Sequence, residues 1–200
     1  MACRIDLGLA LANCTDFSVG GLTGKFWLIN RADWLAAAIT EGGDNEITAI
    51  VPVTPESGEA FAYAYEVPPA SIVTGHALTK NTGISGYTHL FTFLNSDGSM
   101  AMKNSMQALL NTGKAVLIFA TQAPKIAVPA ESKSPPYLLL GKNYGLELSS
   151  SEGNHADQAS GGASIITLST PTVGGGLELN TFTNVQMTTA AIEALEAVTA

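Results

Sequence analysis

The chain has 200 residues, of which 46% are hydrophobic and 13% charged, with a net charge of −8 and a mean hydropathy of +0.23. That length suits one domain with a sizeable core, and the absence of basic runs excludes binding to the nucleic-acid backbone by counterion release. No stretch reaches the ~18 apolar residues of a membrane helix. So few charges on an apolar chain point instead to a large area buried against other subunits, since obligate interfaces resemble a core cut in half.

The opening MACRIDLGLALANCTDFSVGG lacks the basic start and apolar length of an export signal. Ile5, Leu7, Leu9 and Leu11 alternate with small or polar residues, which predicts a strand or extended arm over the first 23 residues. The ten-residue spacing of Cys3 and Cys14 leaves a disulfide open, but with no export signal two free thiols are the expectation.

Gly20 to Gly24 reads as a flexible turn leading into a strand at 25–30. The alanine-rich stretch 33–38 has no defined type. EGGDN at 41–45 is a turn, and EITAIVPV is a strand in which Pro52 marks an edge or an end. In AFAYAYEV, Phe61, Tyr63, Tyr65 and Val67 fall on one face and Ala60, Ala62, Ala64 and Glu66 on the other. The small face predicts a close neighbour, either a second sheet or a second subunit. SIVTGHALT and YTHLFTFL are strands around a turn at 81–86.

SMAMKNSMQALLNTG predicts a helix with Met102, Met106, Leu109 and Leu110 on one stripe, capped by Ser99 or Asp97 and closed by Gly113. AVLIFAT reads as a strand buried on both faces. Residues 123–136 form a long proline-bearing loop. YLLLGKNYGLELS gives two short strands around a turn, SSSEGNHADQASGG a polar loop, and SIITLST a strand that closes the sheet. A strand near 177–187 and a terminal helix follow, with Ile192, Leu195 and Val198 apolar and Thr189 as its cap. The expected fold is mainly β: a sandwich or barrel of about seven to nine strands, one packed helix and a short C-terminal helix.

Chemistry-bearing motifs are missing. GGLTGKF and LLLGKN lack the spacing and hydroxyl of a phosphate loop. His76, His89, His155, Cys3 and Cys14 show no metal-ligand spacing. His89, among Tyr87, Phe91 and Phe93, reads as packed or interfacial, and His155 as solvated. Gly83-Ile84-Ser85-Gly86 is one residue short of a nucleophile elbow. The sequence therefore assigns no catalytic, metal or cofactor-binding residue, and expects neither an enzyme nor a cofactor. Trp27, Trp34 and the tyrosines leave open a carbohydrate-binding β-sandwich, because sugars stack on exposed aromatics.

In order, the segments MACRIDLGLALANCTDFSVGG, QALLNTGKAVLIFAT, YLLLGKNYGLELSS and SIITLST resemble the tail tube proteins of phages and prophages of Bacteroidetes-type hosts, over about a third of the chain. The resemblance implies a virion protein of the tail or neck, assembled in the host cytoplasm. Its subunits would form hexameric rings that stack into a tube through which DNA passes without specific binding. Partners would be further copies and other tail or neck proteins, and no membrane. A head–tail neck or connector ring of the same fold is the alternative. It implies a tube-like domain over 1–170 and an extension over 171–200. The 123–136 loop and the extension depart from the family pattern.

Overall fold

The computed structural model describes residues 22–42, 45–53, 60–81, 84–95, 104, 107, 113–121, 137–153, 163–171, 177–179 and 182–196. The N-terminal arm with both cysteines, the 123–136 loop, His155, Val198 and the apolar stripe of the central helix lie outside these residues. Asn104 and Gln107 are helical and exposed.

Among the described residues eleven strands form two sheets. They are β1 (Leu22–Asn30), β2 (Ala38–Glu41), β3 (Glu46–Val51), β4 (Ala62–Glu66), β5 (Val73–Asn81), β6 (Ile84–Asn95), β7 (Ala115–Thr121), β8 (Tyr137–Leu140), β9 (Glu147–Gly153), β10 (Ser164–Ser169) and β11 (Thr183–Val185). Short helices α1 (Arg31–Ala36) and α2 (Thr189–Glu193) and 3-10 turns at Pro69–Ser71 and Ala194–Glu196 complete the set. The larger sheet runs β2-β3-β11-β8-β7-β1-β4 and the smaller β5-β6-β10-β9. The count exceeds the expected seven to nine strands. α1 covers most of the stretch of undefined type at 33–38, and β2 starts at its last residue, Ala38, and runs to Glu41, the first residue of the expected turn.

The larger sheet is apolar on both faces. On β1, Phe26 and Leu28 join Phe91, Phe93, Ile166 and Leu168 of the smaller sheet, while Trp27 and Ile29 join Trp34, Ile192 and Leu195 on the opposite side. The period of two sends successive side chains to opposite layers. The result is three layers: small sheet, large sheet, C-terminal helix. β7 in its centre is buried from Ala115 to Phe119, as the continuous apolar run predicts. Phe26 packs against Phe91 and Phe93 with ring centroids 5.0 and 4.9 Å apart, binding the two sheets.

Several boundaries shift. β1 begins at Leu22, inside the expected glycine turn. β5 and β6 extend into their turn, so residues 82–83 alone connect them. β9 continues to Gly153, into the expected polar loop. β10 does not close its sheet but lies between β6 and β9. Phe61 sits on a bend and is buried in the same core as Ala62, so alternation starts at Ala62. Ala62 shares that core with Leu195 of the chain's own C-terminal turn, whereas Ala64 and Glu66 are exposed. The helix cap is Thr188, whose hydroxyl accepts the Ala191 N–H at 3.2 Å, rather than Thr189. Thr189 instead accepts the Tyr137 hydroxyl at 2.9 Å.

Candidate assembly surface

The small sheet covers the core with one face and presents the other to solvent. From the pairing register, the outer face carries Val73, Ala77, Thr88, Leu90, Thr92, Ile165, Thr167 and Ser150, with Glu147 and Glu152 along β9. Val73, Leu90 and Ile165 are 58%, 40% and 47% exposed. Thr92 and Thr167 hydroxyls meet across the strands at 3.2 Å. No lysine or arginine falls on this face among the described residues, and Lys80 has the opposite parity.

Both edges of this sheet are open among the described residues: nothing described pairs with the outer side of β5 or β9. All three of its pairings are antiparallel, so the two edge strands run in opposite directions. A copy rotated beside the first would place its β9 antiparallel to the first copy's β5. Exposed edges are templates for further pairing.

A buried polar corner holds the two sheets in register. β8 belongs to the large sheet and β9 to the small one, so the turn 141–145 carries the chain between layers. Gly141 and Gly145 have φ of +73° and +76°, a left-handed backbone that glycine adopts without strain. A Cβ on Gly145 would lie 2.8 Å from both Arg31 Cδ and Lys114 Cβ. After the turn, Leu146 and Ala115 exchange two backbone hydrogen bonds of 2.7 and 2.8 Å.

Glu178, 1% exposed, fills this turn from inside. Its carboxylate accepts the Asn143 N–H at 3.0 and 3.2 Å, Asn143 Nδ2 at 2.9 Å and the Tyr144 N–H at 2.9 Å. Successive backbone N–H groups make a natural anion cradle, and here the anion is the chain's own side chain. The Glu178 backbone also exchanges hydrogen bonds with Tyr87 on β6 at 2.7 and 2.9 Å. Arg31 Nη2 donates to Asn143 O at 2.6 Å, and Trp34 Nε1 to Lys142 O at 3.2 Å. His89, 3% exposed, accepts the Gly141 N–H on Nδ1 at 3.2 Å. The His89 backbone N–H donates to Thr170 Oγ1 at 2.7 Å. The sequence pattern marked His89 as packed; nothing in it marked Glu178, whose partners are 34 and 35 residues away.

A second polar group docks the C-terminal helix. Lys25 Nζ lies 3.4 Å from Glu193, 3.6 Å from Glu196 and 5.0 Å from the Trp27 ring. Trp27 Nε1 donates to Glu196 Oε1 at 2.6 Å. Burial works to lower the Lys25 pKa, but the hydrogen bond and charge of Glu193, with the charge of Glu196, outweigh it and raise the value above normal.

Trp27 and Trp34 are 1% and 2% exposed. They are core residues, so the platform for sugar stacking that they suggested is absent at both. Lys25 and Lys142 of the two Gly-Lys pairs are engaged with carboxylates, Lys142 with Glu41 at 2.9 Å. His76 is exposed and packs edge-on to Phe182 at 4.9 Å, far in role from the buried His89 it faces across the strands. Among the described residues no three His, Cys, Asp or Glu side chains gather as metal ligands, and no helix is long and apolar enough to cross a membrane. No protein-family model, curated protein or solved structure matches this chain.

Proposed function

We propose that this chain is a structural virion protein whose copies form rings that stack into, or join onto, a phage tail tube through which DNA passes. The observation that carries the reading is the small sheet: four alternating strands, open at both edges among the described residues, with an outer face of hydroxyl, apolar and acidic side chains. Head-to-tail joining of β5 to the next copy's β9 continues the sheet and removes both edges. Six copies would give a closed wall about 37 Å across between backbones before strand tilt widens it. Glu147 and Glu152 on that wall would repel the phosphate backbone rather than hold it, and no cation there would bind it. The segment resemblance and the low charge of the chain support the same reading. A neck or connector ring differs from a tube ring in copy number.

Light scattering with negative-stain imaging over a range of concentrations tests it. Wild-type protein is expected to give rings with a central hole, whose subunit count separates a six-fold tube from a connector. Ala77→Lys, which places a charge on the β5 edge strand, is expected to stay monomeric with an unchanged circular dichroism spectrum. A wild-type chain that is monomeric at every concentration overturns the reading. Rings of equal size from Ala77→Lys overturn the assigned edge.

A further inference from the structure

His89 is a buried ionisable side chain that the assembly surface does not use. It belongs to β6 of the small sheet, is 3% exposed, and reaches the turn that leaves β8 of the large sheet. Its Nδ1 accepts the Gly141 N–H at 3.2 Å. A ring nitrogen that accepts carries no proton, so this bond assigns the neutral ring with its hydrogen on Nε2. The His89 backbone is fixed as well: its N–H donates to Thr170 Oγ1 at 2.7 Å and its carbonyl accepts the Thr170 N–H at 3.0 Å. The ring has only its side-chain torsions with which to turn away.

Gly141 is where the chain begins to change layers. Its φ of +73° is left-handed, and its carbonyl accepts the Gly145 N–H at 2.9 Å. The bond from its own N–H to His89 ties this first residue of the turn to the small sheet.

Most of the surroundings favour the neutral ring. Phe182 lies 5.8 Å from His89 and 6.0 Å from Phe119 of β7, an apolar wall on the large-sheet side. On β5 the register partner of His89 is His76, which is exposed, packs on the same Phe182 at 4.9 Å and is a second histidine able to charge on acidification. Lys80 lies further along that strand face and Tyr87 precedes His89 on β6; β10 is followed by Thr170, which carries no charge. In the turn, Lys142 is held by Glu41 at 2.9 Å. Glu178 acts in the other direction, since a carboxylate attracts a proton to the ring. It is engaged by Asn143 and Tyr144, and its attraction leaves the geometry at Gly141 unchanged. An imidazolium presents an N–H at both nitrogens, so a protonated His89 faces the Gly141 N–H donor to donor. A buried donor without its acceptor is costly, and water reaches too little of this ring to bridge the two.

We propose that His89 is an acid-sensitive latch between the two sheets. Neutral, it pins the turn at Gly141; protonated, it releases the turn and opens the corner between β8 and β9. The latch is a property of the single chain and stands apart from the assembly reading. The unfolded chain takes up a proton at histidine near pH ~6.5, whereas the latched fold does not. The latch therefore stabilises fully above that pH, and the contribution is lost as the pH falls through it.

The test uses the full chain carrying His76→Asn and His155→Asn, which leaves His89 as its only histidine. Urea unfolding by tryptophan fluorescence, in steps from about pH 7 to about pH 5, is compared with the same chain carrying His89→Asn as well, whose amide oxygen can stand at the Nδ1 position and does not titrate. The folding constant of the histidine chain is expected to fall roughly 10- to 25-fold further over that range than that of the asparagine chain, since one proton corresponds to tenfold per pH unit. Equal pH dependence overturns the latch. Amide hydrogen exchange on the histidine chain gives a readout that needs no variant at His89. The protection factor of Gly141 is expected to fall more steeply with acid than those of β7, and Gly141 protection that tracks β7 over the whole range overturns release at this turn.

Discussion

Replacing Glu178 by alanine removes the anion from the buried corner and leaves its donors behind. Three N–H groups, from Asn143 backbone, Asn143 side chain and Tyr144 backbone, lose a charged acceptor at 2.9–3.2 Å. Hydrogen bonds to a charged group contribute about 1.5–3 kcal/mol each. Asn143 is half-buried and Tyr144 exposed, so water recovers part of that loss, and the cost of keeping a carboxylate dry also disappears. The net loss expected for Glu178→Ala is about 3 kcal/mol, or a fall in Tm of roughly 6–12 °C for a domain of this size. Glu178→Gln keeps one acceptor but turns an NH₂ toward the donors, and is expected to lose about 2 kcal/mol. Urea unfolding followed by tryptophan fluorescence reads both, since Trp34 bonds to Lys142 O in the same corner. Glu193→Ala is the control: its side chain is 52% exposed, and its loss is expected to stay within about 0.5 kcal/mol. If Glu178→Ala costs no more than Glu193→Ala, the corner is not what joins the two sheets.

Two further outcomes follow from the geometry. Gly145→Ala combines a φ of +76° with a Cβ 2.8 Å from Arg31 and Lys114 and is expected to lose about 2 kcal/mol or more; thermal melts should separate it clearly from Gly75→Ala, whose added Cβ meets nothing within 4 Å. The Lys25 pKa is raised above its ordinary 10.5, so the ion-pair stabilisation is complete below that pH and is lost as pH rises through the folded value. Solvent screening holds the change to about 0.5 kcal/mol, measured by denaturant midpoints on either side of the transition, and Lys25→Met should abolish it.

Strand character was legible wherever burial alternates or runs unbroken. AVLIFAT reads as a doubly buried strand and is one. The apolar spacing of Ile192 and Leu195 gives a short terminal helix, and both side chains are fully buried there. Stretch 38–41 was not legible, because β2 is a four-residue edge strand in which Ile39 alone is half-buried, too short for a burial pattern to show. Nor were the roles of Trp27 and Trp34. An aromatic in a strand reads alike whether its face meets sugar, water or a helix, and the helix that covers these two comes from about 160 residues further on.

Local pattern thus determined most of the segments that become strands, β2 excepted, since the period of two is a property of neighbouring side chains. Tertiary structure alone decided sheet membership: that the turn between β8 and β9 crosses layers, that β11 enters between β3 and β8, and that a lone glutamate at 178 becomes the anion of a turn. These depend on pairing across 34 to 138 residues. The free energy of such pairing lies in register and burial among distant segments, and no periodicity within a segment encodes its partner.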